Sequence, residues 1–82
     1  MPRNFFDSRD NDTYVHDGDG DGVEFEGLEE VKINAATALA ELARDVLPGS
    51  QRRELAIEVR DEMGPVLVTR LTFEAVILRQ PS

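Results

Sequence analysis

The chain has 82 residues, no cysteine and 40% hydrophobic content, the scale of one small domain, which excludes disulfides, thiolate metal sites and a cysteine nucleophile. No apolar run approaches the roughly 20 residues that span a bilayer, and the opening residues MPRNFFDSRD lack an apolar leader core, so the expectation is a cytoplasmic protein without membrane contact. The formal net charge of −8 is uneven: residues 1–30 hold ten Asp or Glu against Arg3 and Arg9, whereas residues 31–82 hold seven acids and seven bases. Such a surface repels phosphate backbones, which argues against nucleic acid and leaves a protein partner, a second copy of the chain or a cation.

Taken in order, Arg3 to Ser8 is short and β-prone, and the polar cluster Arg9-Asp10-Asn11-Asp12 reads as a turn. Thr13-Tyr14-Val15-His16 is rich in β-branched and aromatic residues and completes a hairpin. Phe5 and Phe6 are adjacent, so they point to opposite sheet faces; one is expected under the helix and the other is either half-exposed or covered by a group the sequence does not identify. Asp17 to Gly22, DGDGDG, is a loop, and Val23 to Glu26 regains alternation for one brief extended segment with Val23 and Phe25 inward.

Leu28 to Leu47 carries the only sustained helical period. Leu28, Val31, Ala35, Ala38, Leu39, Leu42 and Val46 share one face, with Glu30, Asn34, Thr37, Glu41 and Asp45 opposite. Gly27 is a tolerable N-cap, Glu29 and Glu30 suit the positive end of the helix dipole, Arg44 suits the negative end, and Pro48-Gly49 stops the helix. Arg53 to Asp61 then alternates strictly, with Leu55, Ile57 and Val59 on one face and Glu54, Ala56, Glu58 and Arg60 on the other. After a turn at Glu62 to Pro65, Val66 to Leu78 reads as a long strand with Leu67, Leu71, Phe73, Ala75 and Ile77 sharing one face. Its other face bears Val66, Val68, Val76 and Leu78, which become candidate interface residues.

The predicted fold is therefore a single α+β domain over residues 1–82. It has two layers: a four-stranded antiparallel sheet with one helix on one face, in the order strand, strand, helix, strand, strand. A sheet covered on one side exposes its second face and its edges to another chain, so protein association, as a homodimer or with another protein, is the leading functional expectation.

The one local motif with possible chemistry is the aspartate loop. Asp17, Asp19 and Asp21 followed by Gly22 match the first half of a D-x-D-x-D-G calcium loop, whose carboxylates suit a hard cation. The second half departs from it: with Asp17 as the first position, Leu28 stands twelfth where a bidentate Glu belongs, and a strand precedes the loop instead of a helix. A solvated acidic loop is the simpler reading, weak calcium binding the alternative, and an acidic mimic of nucleic acid on a basic partner a third. His16 is the only histidine and has no evident nucleophile beside it, and the chain has no P-loop, G-x-G-x-x-G or H-E-x-x-H, so no enzyme is expected.

The opening Met1-Pro2-Arg3-x-Phe5-Phe6, the Asp17 to Gly22 loop with Glu24 after it, the Ala-rich helix and Ile57-Glu58-Val59-Arg60-Asp61-Glu62-x-Gly64 together resemble a family of short bacterial proteins known only as a domain of unknown function. Asn4 stands where that family usually has an aromatic residue, and the family's acidic loop is usually shorter and poorer in aspartate. The resemblance spans nearly the whole chain and implies a standalone cytoplasmic domain without known catalytic residues.

Overall fold

The computed structural model describes residues 3–15 and 23–80, with the backbone alone at Val23. Its elements run β1 (Arg3–Asp10), β2 (Thr13–Val15), β3 (Val23–Glu24), α1 (Leu28–Val46), β4 (Arg52–Asp61) and β5 (Gly64–Glu74). The sheet is antiparallel and four strands wide, in the order β2-β1-β4-β5, and β3 lies beside the other end of β1 on the same edge as β2. The α+β architecture matches the expectation, and the brief segment at Val23 proves to be a sheet member, pairing with Arg3 and Asn4.

The helix forms where alanine, the best helix former, is dense, and its first and last turns carry Glu29, Glu30 and Arg44 as the dipole requires. Gly27 caps it without a side-chain bond, and Leu47 closes it through its N–H to the Ala43 carbonyl at 2.9 Å. On the solvent side Asn34 and Thr37 donate back to the Glu30 and Ile33 carbonyls at 2.9 and 3.0 Å. Val31, Ala35, Leu39 and Ala43 are buried against Leu55, Ile57 and Val59 of β4, with Phe6, Phe25, Leu67 and Leu71 packed around them. Phe6 is thus the phenylalanine on the helix side, and its ring meets Phe25 edge to face at 5.8 Å. Leu28, expected on the buried face, is 60% exposed.

Two strand boundaries differ from expectation. β1 runs through Arg9 and Asp10, because Asp10 pairs with Thr13 across a two-residue turn in which Asn11 takes the left-handed φ of 53° that asparagine tolerates. Asn11 also exchanges bonds with β4: its N–H donates to the Glu54 carbonyl and its Oδ1 accepts from the Glu54 N–H, both at 2.8 Å. β5 begins at Gly64, where φ is 120°, and ends at Glu74, so Pro65 belongs to the strand while Val76 and Leu78 lie beyond it. Ala75 donates to the Gln51 carbonyl at 2.8 Å, and β4 offers no assigned strand residue past Arg52.

Candidate interaction surface

Alternation along β1 sends Phe5, Asp7 and Arg9 to the face without the helix, and cross-strand register sets them against Arg60, Glu58 and Ala56 of β4. Asp7 and Glu58 stand directly opposite each other, which for two carboxylates is unfavourable. Each therefore turns to an arginine beside it. Arg60 Nε donates to Asp7 Oδ2 at 2.9 Å, and Arg9 Nε donates to Glu58 Oε2 at 3.2 Å. Tyr14, opposite Arg9 on β2, donates its hydroxyl to the same Asp7 oxygen at 2.9 Å.

These side chains roof the middle of the sheet. Asp7 is 1% exposed although no helix covers it, because Arg60 and Tyr14 close over it. The Arg60 guanidinium lies 4.7 Å from the centre of the Phe5 ring and that of Arg9 lies 4.9 Å from the Tyr14 ring, both within cation–π range. The cover that Phe5 lacked in the sequence is thus an arginine. Among the described residues no buried side-chain nitrogen or oxygen lacks a hydrogen-bond partner, so the face is polar and satisfied.

Desolvation raises the Tyr14 phenol above its ordinary pKa of 10.0, helped by its hydrogen bond to Asp7 and by the negative charges of Asp7 and Glu58, with Arg60 opposing. The neutral phenol is the form the fold holds, so its contribution to stability is complete below pH 10.0 and is lost as pH rises through the elevated native pKa. Because Tyr14 is the only tyrosine and the chain has no tryptophan, tyrosinate absorbance near 295 nm reads this group alone. The native chain is expected to titrate above its urea-unfolded form, with Asp7→Asn narrowing the gap; a gap unchanged by that variant would contradict the Asp7–Tyr14 bond.

Next to this network a shallow depression of about 580 Å³ is lined by Tyr14, Glu58, Arg60, Val66, Val68 and Arg70 among others. Its apolar side comes from β5, where Val66 is 37% and Val68 40% exposed. A bulge leaves Val66 without a Cα partner on β4. Of the four apolar residues expected to form an interface, Val66 and Val68 therefore lie in the sheet beside the depression. Val76 and Leu78 lie in the segment after β5, 64% and 92% exposed, with Ile77 between them 73% exposed. β5 is also an edge, since no described strand pairs with its outer side.

Asp17, Asp19 and Asp21, the expected cation ligands, and His16 lie outside the described residues. Among the described residues no three His, Asp or Glu side chains are grouped to hold a metal ion, and no helix is long and apolar enough to cross a membrane. Sequence reasoning missed the Asp7, Tyr14 and Arg60 cluster. The usable signal was the alternation of Phe5, Asp7 and Arg9 against that of Glu58 and Arg60, which acquires meaning only with the strand register.

These features define a two-layer α+β domain with one helix-backed sheet face and one face dressed with salt bridges and stacked cations. The chain belongs to the DUF6894 family, a domain of unknown function, whose model matches residues 3–73. Comparison with curated proteins and with solved structures found no match.

Proposed function

We propose that this chain is a small, non-enzymatic, cytoplasmic protein-association domain that binds a second copy of itself through its sheet, at the helix-free face or the open β5 edge. The observation that carries the reading is the run of exposed apolar side chains on and after one open edge strand: Val66, Val68, Val76, Ile77 and Leu78. Exposed apolar residues in sequence along an unpaired edge are what a monomer normally avoids, by charge, proline or cover. The charged groups on the same face support a binding role over a catalytic one, because Asp7 with Arg60 and Glu58 with Arg9 are already engaged with each other. The net charge of −8 favours a protein over nucleic acid as partner.

Sedimentation tests the reading. Association predicts a mass above the 9.2 kDa of one chain, and Val68→Glu should lower it, since a carboxylate would have to be desolvated in the contact. Val68 is 40% exposed, so the variant is expected to keep its fold and its circular dichroism. If that variant runs at the wild-type assembled mass, the contact does not lie on this side of the sheet.

A further inference from the structure

We infer that two copies join edge to edge through β5, in an antiparallel register centred on Thr72, so that the two sheets continue into one. This rests on the association reading and specifies its geometry. The directions of the backbone groups restrict the possibilities first. Ala75 turns its N–H toward β4, so in an antiparallel ladder Phe73 and Leu71 do the same, while Glu74, Thr72 and Arg70 present their N–H and C=O groups outward. A partner strand must meet those outward residues with its own outward residues.

The side chains then select among the registers that remain. Centring the two-fold axis on Arg70 sets arginine against arginine, and centring it on Glu74 sets glutamate against glutamate. Centring on Leu71 puts Val68 opposite the partner's Glu74, and centring on Phe73 puts Arg70 opposite the partner's Val76. Only the axis at Thr72 matches chemistry throughout: threonine faces threonine, and Arg70 faces the partner's Glu74 on both sides of the axis. Val68 then faces the partner's Val76, Leu71 faces Phe73, and Leu67 faces Ile77.

This register also accounts for the exposed segment after Glu74. Val76, Ile77 and Leu78 run past the end of β4, and no described strand pairs with them. In the dimer they continue the strand against the first half of the partner's β5, and apolar side chains 64%, 73% and 92% exposed in one copy gain a cover. The self-complementarity is a property of the order Val68, Arg70, Thr72, Glu74, Val76, which reads with opposite charges at equal distances from its centre.

Charge reversal with rescue is the test, read by sedimentation equilibrium over a range of concentrations, with circular dichroism reporting the fold. Arg70→Glu alone and Glu74→Arg alone each set two like-charge pairs across the axis and should weaken the dimer at least about tenfold. The double variant restores both pairs with their signs exchanged and should return the dissociation constant to near the wild-type value. Thr72→Pro removes an outward N–H at the axis, in a position an edge strand tolerates, and should give a folded monomer. A wild-type dimer unmoved by the single reversals, or not rescued by the double variant, overturns this register while leaving association through the sheet intact. A wild-type chain that stays at 9.2 kDa at every concentration overturns both.

Discussion

Arg60→Met is expected to destabilise the domain by about 2 kcal/mol, and more than the triple replacement of Asp7, Tyr14 and Arg60 by Leu, Phe and Met. Removing one partner of a buried ion pair costs roughly 3–5 kcal/mol when both groups are dry, because the charge that remains is left in a poor solvent. Here the Asp7 side chain is 2% exposed but that of Arg60 is 35% exposed, so water shares the work and the lower figure applies. The loss has a second part: the guanidinium covers the Phe5 ring at 4.7 Å, and methionine keeps the apolar contact without the cation. Taking out all three polar groups removes the need to solvate any of them, so the triple variant should be nearer to wild type than the single one. Urea unfolding at neutral pH reads the difference directly. A single variant as stable as wild type would mean that the Asp7–Arg60 pair contributes nothing to the fold.

Leu55→Ala is expected to cost about 3 kcal/mol, a large part of the roughly 4–12 kcal/mol that an 82-residue domain has in total. Leu55 is 2% exposed and sits at the centre of the layer between β4 and α1, where neighbouring side chains cannot collapse fully into the space it leaves. Leu28→Ala provides the contrast. Both leucines fall on an apolar face by periodicity, yet Leu28 is 60% exposed and its truncation should change stability by less than about 0.5 kcal/mol. The pair separates the contribution of packing from that of pattern. Equal costs at the two positions would contradict the placement of the helix on the sheet.

That contrast marks how far the sequence is informative. The strict alternation of Leu55, Ile57 and Val59 with Glu54, Ala56, Glu58 and Arg60 identifies β4 and both its faces, and the three-and-four spacing from Val31 to Val46 identifies the helix and its buried stripe. Both signals are local, and both survive in the folded chain. The ends of β1 and β5 are set by pairing and are less legible. Arg9 and Asp10 resemble a turn by composition, but Arg9 is held by Tyr14 and Glu58, and Asp10 by Arg53 Nη1 at 2.5–2.6 Å, so the strand continues. Conversely, apolar residues continue through Leu78 while β4 has run out, so the strand stops at Glu74. A strand needs a partner, and no single-chain pattern supplies one.

The candidate surface divides along the same line. Val66 and Val68 were legible as apolar positions, because residue type alone marks them. The roof over Asp7 was not, since Asp7, Tyr14 and Arg60 lie 7 and 53 residues apart in sequence and meet only through the cross-strand register. Long arginine side chains lying over aromatic rings turn what reads as a plain mixed face into a half-exposed polar layer over a buried Asp7.

The measurement that bears most directly on the account is the mass of the wild-type chain by sedimentation equilibrium across a hundredfold range of concentration at neutral pH. The account predicts a reversible rise toward twice 9.2 kDa, as edge strands and the apolar segment after Glu74 find their counterpart in a second copy. A constant 9.2 kDa over the whole range would contradict it, and Val66, Val68, Val76 and Leu78 would then stand as solvent-exposed apolar residues of a monomer.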